Sequence, residues 1–293
     1  MKIIKTINFR GFGKKFGGKT RDFYIKDDTR IIISTDRISA FDKVLGYIPN
    51  KGQVLSQLSV FWFEQTKDII SNHLISVPHP NIIIVKNCKL IPIEMVVRGY
   101  MTGVTGTSIW GSYAKGERVI YGLRFKTGLK KNQKLPRPII TPTTKATKGH
   151  DARLTRKEIL EKKIVSSKLY SQMEKTALKL FQRGTKICKR ARIILVDTKY
   201  EFGLDKNNRL ILIDEIHTPD SSRFWIEKTY KERFEKGLEP ENFDKEFLRI
   251  WFKKRGYAGD GKPPKMPKSF IYKVTKRYIS IYEMITGEKF VSL

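Results

Sequence analysis

The chain has 293 residues and a mass of 34.1 kDa, with 40% hydrophobic and 30% charged residues. This length accommodates one large domain or two smaller ones, and the apolar content excludes wholesale disorder. No apolar run approaches the roughly 20 residues that a membrane helix needs, and residues 1–10 contain no secretory apolar block. Cys88 and Cys188 are too far apart for a CxxC motif. We therefore expect a reduced, soluble, cytoplasmic protein without a membrane partner.

Lys and Arg number 59 against 29 for Asp and Glu, which gives a net charge of +30. Such an excess is typical of proteins that bind nucleic acid or another polyanion. Here the basic residues are spread along the whole chain and accompany an excess of isoleucine, as in Ile82–Ile84. A drift in composition on a solvated surface explains the charge better, and nucleic-acid binding stays as an alternative.

The first half of the chain alternates short strand patterns with one helix pattern. Apolar alternation predicts strands at Phe23–Ile25 and Ile31–Thr35 around a polar turn, and two further strands. Helical spacing of apolar residues predicts a helix over 53–71. Residues 100–150 are rich in Gly, Thr, Lys and Pro, which favours a long irregular segment. The two further strands that apolar alternation predicts in this half are Asn81–Val85 and Ile91–Val97, which lie between the helix and the irregular segment.

The second half begins with a helix start and ends with a helix. Thr155 and Glu158 match a capping box, and the helical stripe that follows is expected to stop near Gly184. Two strands, Ile193–Phe202 and Arg209–Ile216, form a hairpin. A last helix is expected to end at Gly287. Strands and helices mix without βαβ regularity, so we expect an α+β fold.

A glycine-rich segment near the N-terminus, Gly13–Thr20, formally matches the P-loop pattern. A P-loop leaves a buried strand and opens a helix, whereas here the segment leads into strands. A glycine-rich loop between two strands can still cover a nucleotide, with a cation such as Lys19 near the phosphates. An ordinary basic loop is the alternative.

The predicted hairpin carries an unusual set of acids. Asp197, Lys199 and Glu201 alternate along the first strand and therefore share one face. The second strand leads directly into Asp214, and Asp220 follows a few residues later. Acids buried among apolar strands need compensating cations, and carboxylates beside substrate phosphates suit Mg²⁺. We expect a magnesium site here, with a structural salt-bridge network as the alternative.

Two arginines complete this constellation. Arg98 ends a predicted strand, and Arg223 follows a Ser-Ser turn that ends at Ser222. Either arginine can clamp a phosphate or a carboxylate in bidentate fashion. The four histidines show no metal-site spacing, and no protein nucleophile is apparent. Cations, acids and a nucleotide loop together indicate ATP-dependent activation of a carboxylate or a hydroxyl group.

Several segments resemble the SAICAR synthetase family, and they occur in the order that the family shows. The C-terminal portion, with Lys236–Glu241 and Phe247–Lys254, is similar to the larger bacterial and plant-type members. The matching segments are Gly18–Asp22 (GKTRD), Ser34–Asp42 (STDRISAFD), Ile91–Tyr100 (IPIEMVVRGY), Thr141–Lys145 (TPTTK), Leu195–Gly203 (LVDTKYEFG) and Asp214–Trp225 (DEIHTPDSSRFW).

This resemblance implies a smaller N-terminal α+β domain over residues 1–95 and a larger α+β domain over residues 96–293, with ATP between them. It implies a ligase of de novo purine biosynthesis that joins CAIR to L-aspartate and converts ATP to ADP and phosphate with Mg²⁺. An acyl phosphate is the intermediate that the family implies. A small-molecule kinase with the same nucleotide cleft is an alternative, and the oligomeric state stays open.

The resemblance also assigns residues. On the nucleotide side, Gly18, Lys19, Thr20 and Arg21 would lie along the triphosphate, Leu90 and Glu94 would border the adenine, and Glu201 and Asp214 would hold magnesium. On the substrate side, Arg98, Ser222 and Arg223 would bind the CAIR phosphate or a carboxylate, Asp36 and Ser39 would face the imidazole, His150 and Asp151 would contact aspartate, and Asp197, Lys199 and Asp220 would arrange the reacting groups.

One departure from the family pattern follows Arg98. The family has Thr or Ala, then Gly and Ser, where this chain reads Thr102-Gly103-Val104. Valine removes a hydroxyl that the pattern implies near the substrate phosphate. Either Thr105 replaces that hydroxyl or the affinity for CAIR is lower.

Overall fold

The computed structural model describes residues 3–103, 107–145 and 151–292. The first part of the chain is built mainly of short strands around one helix. Its elements are β1 (Lys15–Gly17), β2 (Arg21–Lys26), β3 (Thr29–Ser34), β4 (Arg37–Ala40), β5 (Lys43–Tyr47), α1 (Lys51–Gln65), β6 (Leu74–His79), β7 (Ile82–Lys86) and β8 (Lys89–Met101).

The second part contains the longer helices. Its elements are α2 (Ile109–Ala114), β9 (Val119–Ile120), β10 (Leu123–Arg124), β11 (Gln133–Ile140), β12 (Thr143–Thr144), α3 (Arg156–Glu161), α4 (Ser167–Arg190), β13 (Ile193–Leu204), β14 (Leu210–Ile213), β15 (Ser222–Ile226), α5 (Glu227–Glu235), α6 (Lys245–Lys253) and α7 (Lys268–Thr286).

The N-terminal sheet has five antiparallel strands in the order β1-β2-β3-β7-β6. Alternate residues of its central strands, such as Ile31 and Ile33, are buried because strand side chains alternate between faces. The predicted strands at Phe23–Ile25 and Ile31–Thr35 are confirmed in type. The turn between them is shorter than expected, with Asp27 at a positive φ of 51°.

Helix α1 ends six residues before the predicted end. At its C-terminus the hydroxyl of Thr66 donates to the carbonyl of Trp62 (2.7 Å), and the Ile69 amide then donates to the Thr66 carbonyl (2.9 Å). Ile69 and Ile70 still pack against the main core. The apolar periodicity therefore continues beyond the helix, which explains the overlong prediction.

The second sheet contains the two longest strands, β8 and β13, side by side and antiparallel. Its order is β11-β8-β13-β14, with β12 also paired to β8 and β15 to β13. The register places Asp197 opposite Arg98, and Glu201 opposite Glu94. The predicted hairpin is confirmed as β13 and β14, although β14 stops at Ile213. The boundary expected between two domains after residue 95 falls within β8, and this division into domains stays a prediction.

The prediction that residues 100–150 form one irregular segment is wrong for the part that the structure describes. This part contains α2 and four strands, and it forms a small core around Ile109, Tyr113 and Leu135. The longest of these strands, β11, includes Pro136 and Pro138 and lies at a sheet edge, where proline is tolerated. The two prolines and the charged residues Lys134 and Arg137 concealed the strand pattern.

The predicted capping box is present. Thr155 accepts from the Glu158 amide, and the Glu158 carboxylate accepts from the Thr155 amide. The helical stripe is divided into α3 and α4, and the predicted stop near Gly184 is wrong. Gly184 lies buried inside α4, because a side chain there would meet the ring of His217.

Helices α1, α4 and α7 supply the apolar side chains that cover the sheets in the main core. Helix α7 ends as predicted at Gly287, which has a φ of 76°. The mixture of helices and antiparallel sheets confirms the α+β class. Within the described ranges, no helix is both long and apolar enough to cross a membrane.

Candidate active site

A charged cleft of about 170 Å³ lies over β8 and β13 and under α6. It collects eight of the residues that the sequence predicted, and we use the name charged cleft for the space that they and their neighbours line. The eight are Glu94, Arg98, Asp151, Asp197, Lys199, Asp220, Ser222 and Arg223; Lys245 and Arg249 of α6, Thr107, Thr143 and Ser221 also line it.

Two arginines share one carboxylate at one end of the charged cleft. The Asp197 Oδ2 atom accepts from Arg223 Nη1 at 2.6 Å and from Arg98 Nη1 at 3.3 Å. Arg98 also donates to the Thr141 hydroxyl (2.8 Å) and to the Thr107 carbonyl (3.1 Å). The two guanidinium groups thus share this carboxylate, Arg223 Nη2 also lies 3.5 Å from Glu246 Oε2, and the paired guanidinium groups favour an anionic ligand at this end.

Burial affects the two arginines differently. Burial lowers the pKa of Arg98, because Asp197 compensates only part of the lost hydration. Burial also disfavours the charged form of Arg223, but Asp197 and Glu246 outweigh it and raise its pKa. Ser222, next in the chain, donates from its hydroxyl to the Thr198 hydroxyl at 2.7 Å. Positive charge is therefore held in place where β13 meets β15.

A row of acids and lysines occupies the middle of the charged cleft. Lys199 Nζ lies 2.8 Å from Glu94 Oε1 and 2.5 Å from Glu201 Oε1. Lys145 pairs with the second oxygen of Glu201, and Thr143 donates to Glu94. Burial disfavours the charged form of Lys199, but Glu201 and Glu94 raise its pKa well above the ordinary value. Residues 197, 199 and 201 thus lie on one face of β13, as predicted.

Asp214 connects this row to the N-terminal sheet. It follows β14 with a φ of 69°, and its Oδ1 lies 2.7 Å from Arg21 Nη2, which also lies 3.4 Å from Glu215. Burial opposes ionisation, but Arg21, Lys145 and Lys199 outweigh it and lower the pKa of Asp214 far below its usual range. Asp214 is therefore a carboxylate over the whole physiological pH range.

Asp220 is held by groups from three helices. Its Oδ2 lies 2.9 Å from Lys51 of α1 and 2.8 Å from Lys245 of α6, and Tyr278 of α7 donates to its Oδ1 at 2.7 Å. Burial lowers the pKa of Lys245 to about 8, despite Asp220. The sequence reasoning missed both lysines. Lys245 is the first residue of α6, directly after the capping residue Asp244, and neither lysine stands out locally in so basic a chain.

The glycine-rich loop is confirmed as a connection between two antiparallel strands, β1 and β2, and not a P-loop. The Gly18 amide donates to the Arg21 carbonyl at 2.7 Å, and Thr20 offers its carbonyl to Thr35. Lys19 is half exposed and pairs with Asp42. Arg21 is the loop residue that reaches the acids of the second sheet.

Asp36, Ser39 and Leu90, which the sequence assigned to substrate or nucleotide, do not line the charged cleft. Asp36 accepts from the amides of Ile4 (2.8 Å) and Gly52 (3.0 Å), and it lines a different cavity. Ser39 is buried in β4, and Leu90 is exposed at the start of β8. Thr105 and His150, with Val104, lie outside the described residues. The expected contacts of these residues with substrate or nucleotide stay predictions.

The acids fit a magnesium ion that arrives with phosphate better than an ion held by protein alone. Glu201 and Asp214 are both paired with cations. Nowhere in residues 3–103, 107–145 and 151–292 do three or more ligating side chains converge as a metal site. Mg²⁺ commonly uses one or two carboxylates together with substrate phosphates, and these two acids supply that number.

Comparison with known proteins gives a consistent result. The family model described as SAICAR synthetase matches residues 14–266. The phosphoribosylaminoimidazole-succinocarboxamide synthase of Legionella pneumophila (strain Paris) is 52% identical over 281 residues, which cover 96% of this chain and 90% of that protein. The chloroplastic synthase of Arabidopsis thaliana is 48% identical over 280 residues, which cover 95% of this chain and 68% of that protein.

Solved structures agree with the sequence comparison. SAICAR synthase from Saccharomyces cerevisiae, complexed with SAICAR, superposes with a TM-score of 0.84 at 34% identity and covers 98% of this chain and 99% of that one. A SAICAR synthetase in complex with ADP gives a TM-score of 0.72 at 29% identity, covering 95% of this chain and 100% of that one.

These matches extend over nearly the whole chain, so they include the segments that form both sheets and the charged cleft. They give no support to nucleic-acid binding or to a small-molecule kinase. The chain belongs to the SAICAR synthetase family and is a ligase of purine biosynthesis.

Proposed function

We propose that this ligase joins the carboxylate of CAIR to the amine of L-aspartate and converts ATP to ADP and phosphate. A CAIR carboxylate oxygen attacks the γ-phosphorus, ADP leaves, and an acyl phosphate forms. The aspartate nitrogen then attacks the acyl carbon, phosphate leaves with its oxygen, and the nitrogen loses a proton. The names of the relatives and the ADP and SAICAR carried by two related structures support this reaction.

The observation that carries the proposal is the arrangement of charge in the charged cleft. One end presents Arg98 and Arg223 around Asp197, and the middle presents Lys199 between Glu94 and Glu201. The arginine end suits the phosphate or a carboxylate of CAIR, since guanidinium groups bind both in bidentate fashion. Such fixed charges accelerate phosphoryl transfer and acyl transfer mainly by positioning and charge neutralisation.

For the nucleotide, we propose the loop Gly18–Arg21 as the cover over the triphosphate. Lys19 and Arg21 supply cations there, Gly18 lets the backbone approach the phosphates because it has no side chain, and Thr20 lies in the same loop. Leu90 would border the adenine, since it is exposed at the start of β8, and Glu94 lies further along that strand.

Magnesium would be held by Glu201 and Asp214. The ion would supply charge neutralisation on the phosphate oxygens when it is bound. Arg21, which pairs with Asp214, keeps that carboxylate ionised and oriented from the N-terminal sheet.

On the substrate side, Lys199, Asp197 and Asp220 arrange the reacting groups, and Ser222 adds a hydroxyl beside Arg223. Asp151 lines the charged cleft, which supports its proposed contact with aspartate, together with His150. Thr105 is proposed near the phosphate, and Asp36 and Ser39 near the imidazole. We also propose the domain limits 1–95 and 96–293 and a cytoplasmic location.

The proposal is tested by incubating the purified protein with ATP, Mg²⁺, CAIR and L-aspartate while ADP and the product are followed. We expect ADP release to require aspartate and to match product formation mole for mole. Succinate provides the matched control, because it has both carboxylates of aspartate without the amine and should give no product.

ADP release that is indifferent to aspartate would remove the ligase assignment, and phosphorylation of a hydroxyl would favour a kinase. Polyanions added to the same assay test the +30 charge. Strong competition that weakens steeply with salt would favour nucleic-acid binding.

A further inference from the structure

The segment Asp214–Ser221 between β14 and β15, which we call the 214–221 loop, carries two acids of the site. Asp214 and Asp220 stand near its two ends. Asp214 and His217 have φ values of 69° and 47°. Residues other than glycine rarely adopt this left-handed conformation, and it persists only where the surroundings determine it. Something outside the loop must therefore hold it.

The side chain of His217 enters the main core. His217 is fully buried, and its Nε2 lies 2.6 Å from the hydroxyl of Tyr200. The Trp62 ring meets the imidazole edge-on at 4.6 Å. Gly184 of α4 leaves room for the ring, because a Cβ there would lie 2.4 Å from His217 Cε1. Elements α1, α4 and β13 thus enclose the imidazole.

Tyr200 lies on the opposite face of β13 from the acids. It stands between Lys199 and Glu201, and side chains alternate along a strand. Tyr200 is fully buried in the main core, whereas Lys199 lines the charged cleft. The hydrogen bond between Tyr200 and His217 therefore ties the 214–221 loop to the underside of the strand that carries the reacting acids.

Both groups of this hydrogen bond are neutral. Burial lowers the pKa of His217 to about 3 and raises the pKa of Tyr200 well above its ordinary value. The other ring nitrogen, Nδ1, is buried without a hydrogen-bond partner among the described residues. A buried polar atom left without a partner is unfavourable, so packing alone does not favour histidine at this position.

Within the loop, hydrogen bonds extend from Thr218 to both ends. The Thr218 hydroxyl donates to Glu215 Oε2 at 2.6 Å, on the Asp214 side. The Thr218 carbonyl accepts from the amides of Ser221 (3.2 Å) and Ser222 (2.9 Å), on the Asp220 side. A fixed position for His217 therefore fixes the residues on both sides of it.

We propose that His217 is a positioning residue, whose hydrogen bond with Tyr200 holds the 214–221 loop so that Asp220 faces the charged cleft and Asp214 stays paired with Arg21. The effect on catalysis rests on the proposed function of these two acids. The expected effect on the order of the loop is independent of the proposed function.

The test compares Tyr200→Phe with Tyr170→Phe, a matched control that alters another buried tyrosine, in α4. Hydrogen exchange at the amides of Ser221 and Ser222 measures the order of the loop. We expect about tenfold faster exchange in Tyr200→Phe, because a buried hydrogen bond is lost. We also expect a several-fold higher KM for Mg·ATP with a smaller change in kcat, and neither effect in Tyr170→Phe.

Equal exchange in the two variants would overturn the proposal, whatever the activities are. Faster exchange with wild-type KM and kcat would overturn the positioning role. If the wild type shows no aspartate-dependent turnover, the proposed function fails, and the exchange result alone decides the inference.

If the Tyr200→Phe variant does not fold, the same experiment is carried out with the His217→Asn variant. Asparagine tolerates the left-handed backbone but is too short to reach Tyr200, so we expect the same faster exchange. Wild-type exchange in this variant would contradict the proposal.

Discussion

Asp214 remains ionised although it lies among buried groups, because cations from separate parts of the chain surround it. Arg21, Lys145 and Lys199 lower its pKa, and Arg21 pairs with it directly. An ionised carboxylate at this point is what the proposed magnesium site requires. The same contact with Arg21 links the glycine-rich loop to the second sheet.

Replacing Asp214 with Asn tests this role. Asparagine keeps the size of the side chain and removes its charge, so we expect kcat to fall by about 100-fold or more. The fold should remain, as judged by circular dichroism, because Arg21 still has Glu215. The measurement is turnover as a function of Mg²⁺ concentration. Asp68→Asn, in an exposed pair with Arg183, is the control, and wild-type rates in Asp214→Asn would refute the metal assignment.

The chemical type of the site was predictable from single residues, whereas its partners were not. Acids at 197, 201, 214 and 220 stand out in a basic chain. Arg98 and Arg223 follow a predicted strand end and a predicted turn, although β8 continues through Arg98 to Met101 and Arg223 lies within β15. Lys145 stands in a segment that resembles the family, but nothing in the sequence names its partner, and Lys51 and Lys245 carry no local signal in a chain with 59 basic residues. Only their distances in the structure identify them.

At the scale of elements, the register of β8 against β13 places the charges. It brings Arg98 opposite Asp197 and Glu94 opposite Glu201. A register shift of one residue would turn these side chains to the other face of the sheet. The alternating pattern predicted that residues 197, 199 and 201 share a face, but it contained no information on which strand lies beside them.

Gly184→Ala tests how α4 packs against the 214–221 loop. In an isolated helix, alanine would be favoured over glycine by about 1 kcal/mol. Here its Cβ would lie 2.4 Å from His217 and 2.8 Å from Leu195, and overpacking costs about 1–3 kcal/mol. We therefore expect a net loss in the free energy of unfolding, measured with urea. Thr185→Ala, at the next position, is the control, and a more stable Gly184→Ala would contradict the packing.

At the scale of the whole molecule, the segment Ser71–His73 ties the two sheets together. The His73 amide donates to the Leu212 carbonyl (3.1 Å), and the Leu212 amide donates to the Ser71 carbonyl (2.9 Å). His73 itself is buried, with its ring against Phe63. Burial lowers its pKa to about 4, whereas an unfolded histidine has a pKa of about 6.5.

This difference predicts a pH dependence of stability. Between pH about 6.5 and 4 the unfolded chain binds a proton at His73 that the folded chain does not, so acid lowers the free energy of unfolding. His73→Phe keeps a ring and removes the titration. Relative to this variant, we expect the wild type to lose about 1.4 kcal/mol per pH unit in that range.

Urea unfolding at a series of pH values measures this difference. Between pH 7 and 8 the difference between the two proteins should be constant, which serves as the internal control. Parallel pH profiles from pH 8 to 4 would show that His73 takes up its proton in the folded state as readily as in the unfolded one.

The sequence by itself determined the α+β class, most of the strands, the capping box at Thr155, the family and the chemical type of the site. Periodicity, turns and motifs are local, so these properties can be read along the chain. The tertiary structure alone decided that α4 continues through Gly184, that Asp36 bonds to backbone amides away from the charged cleft, and that lysines from three distant positions pair with its acids. Burial, register and ion pairing depend on residues far apart in sequence, and their energies exist only once the elements have packed.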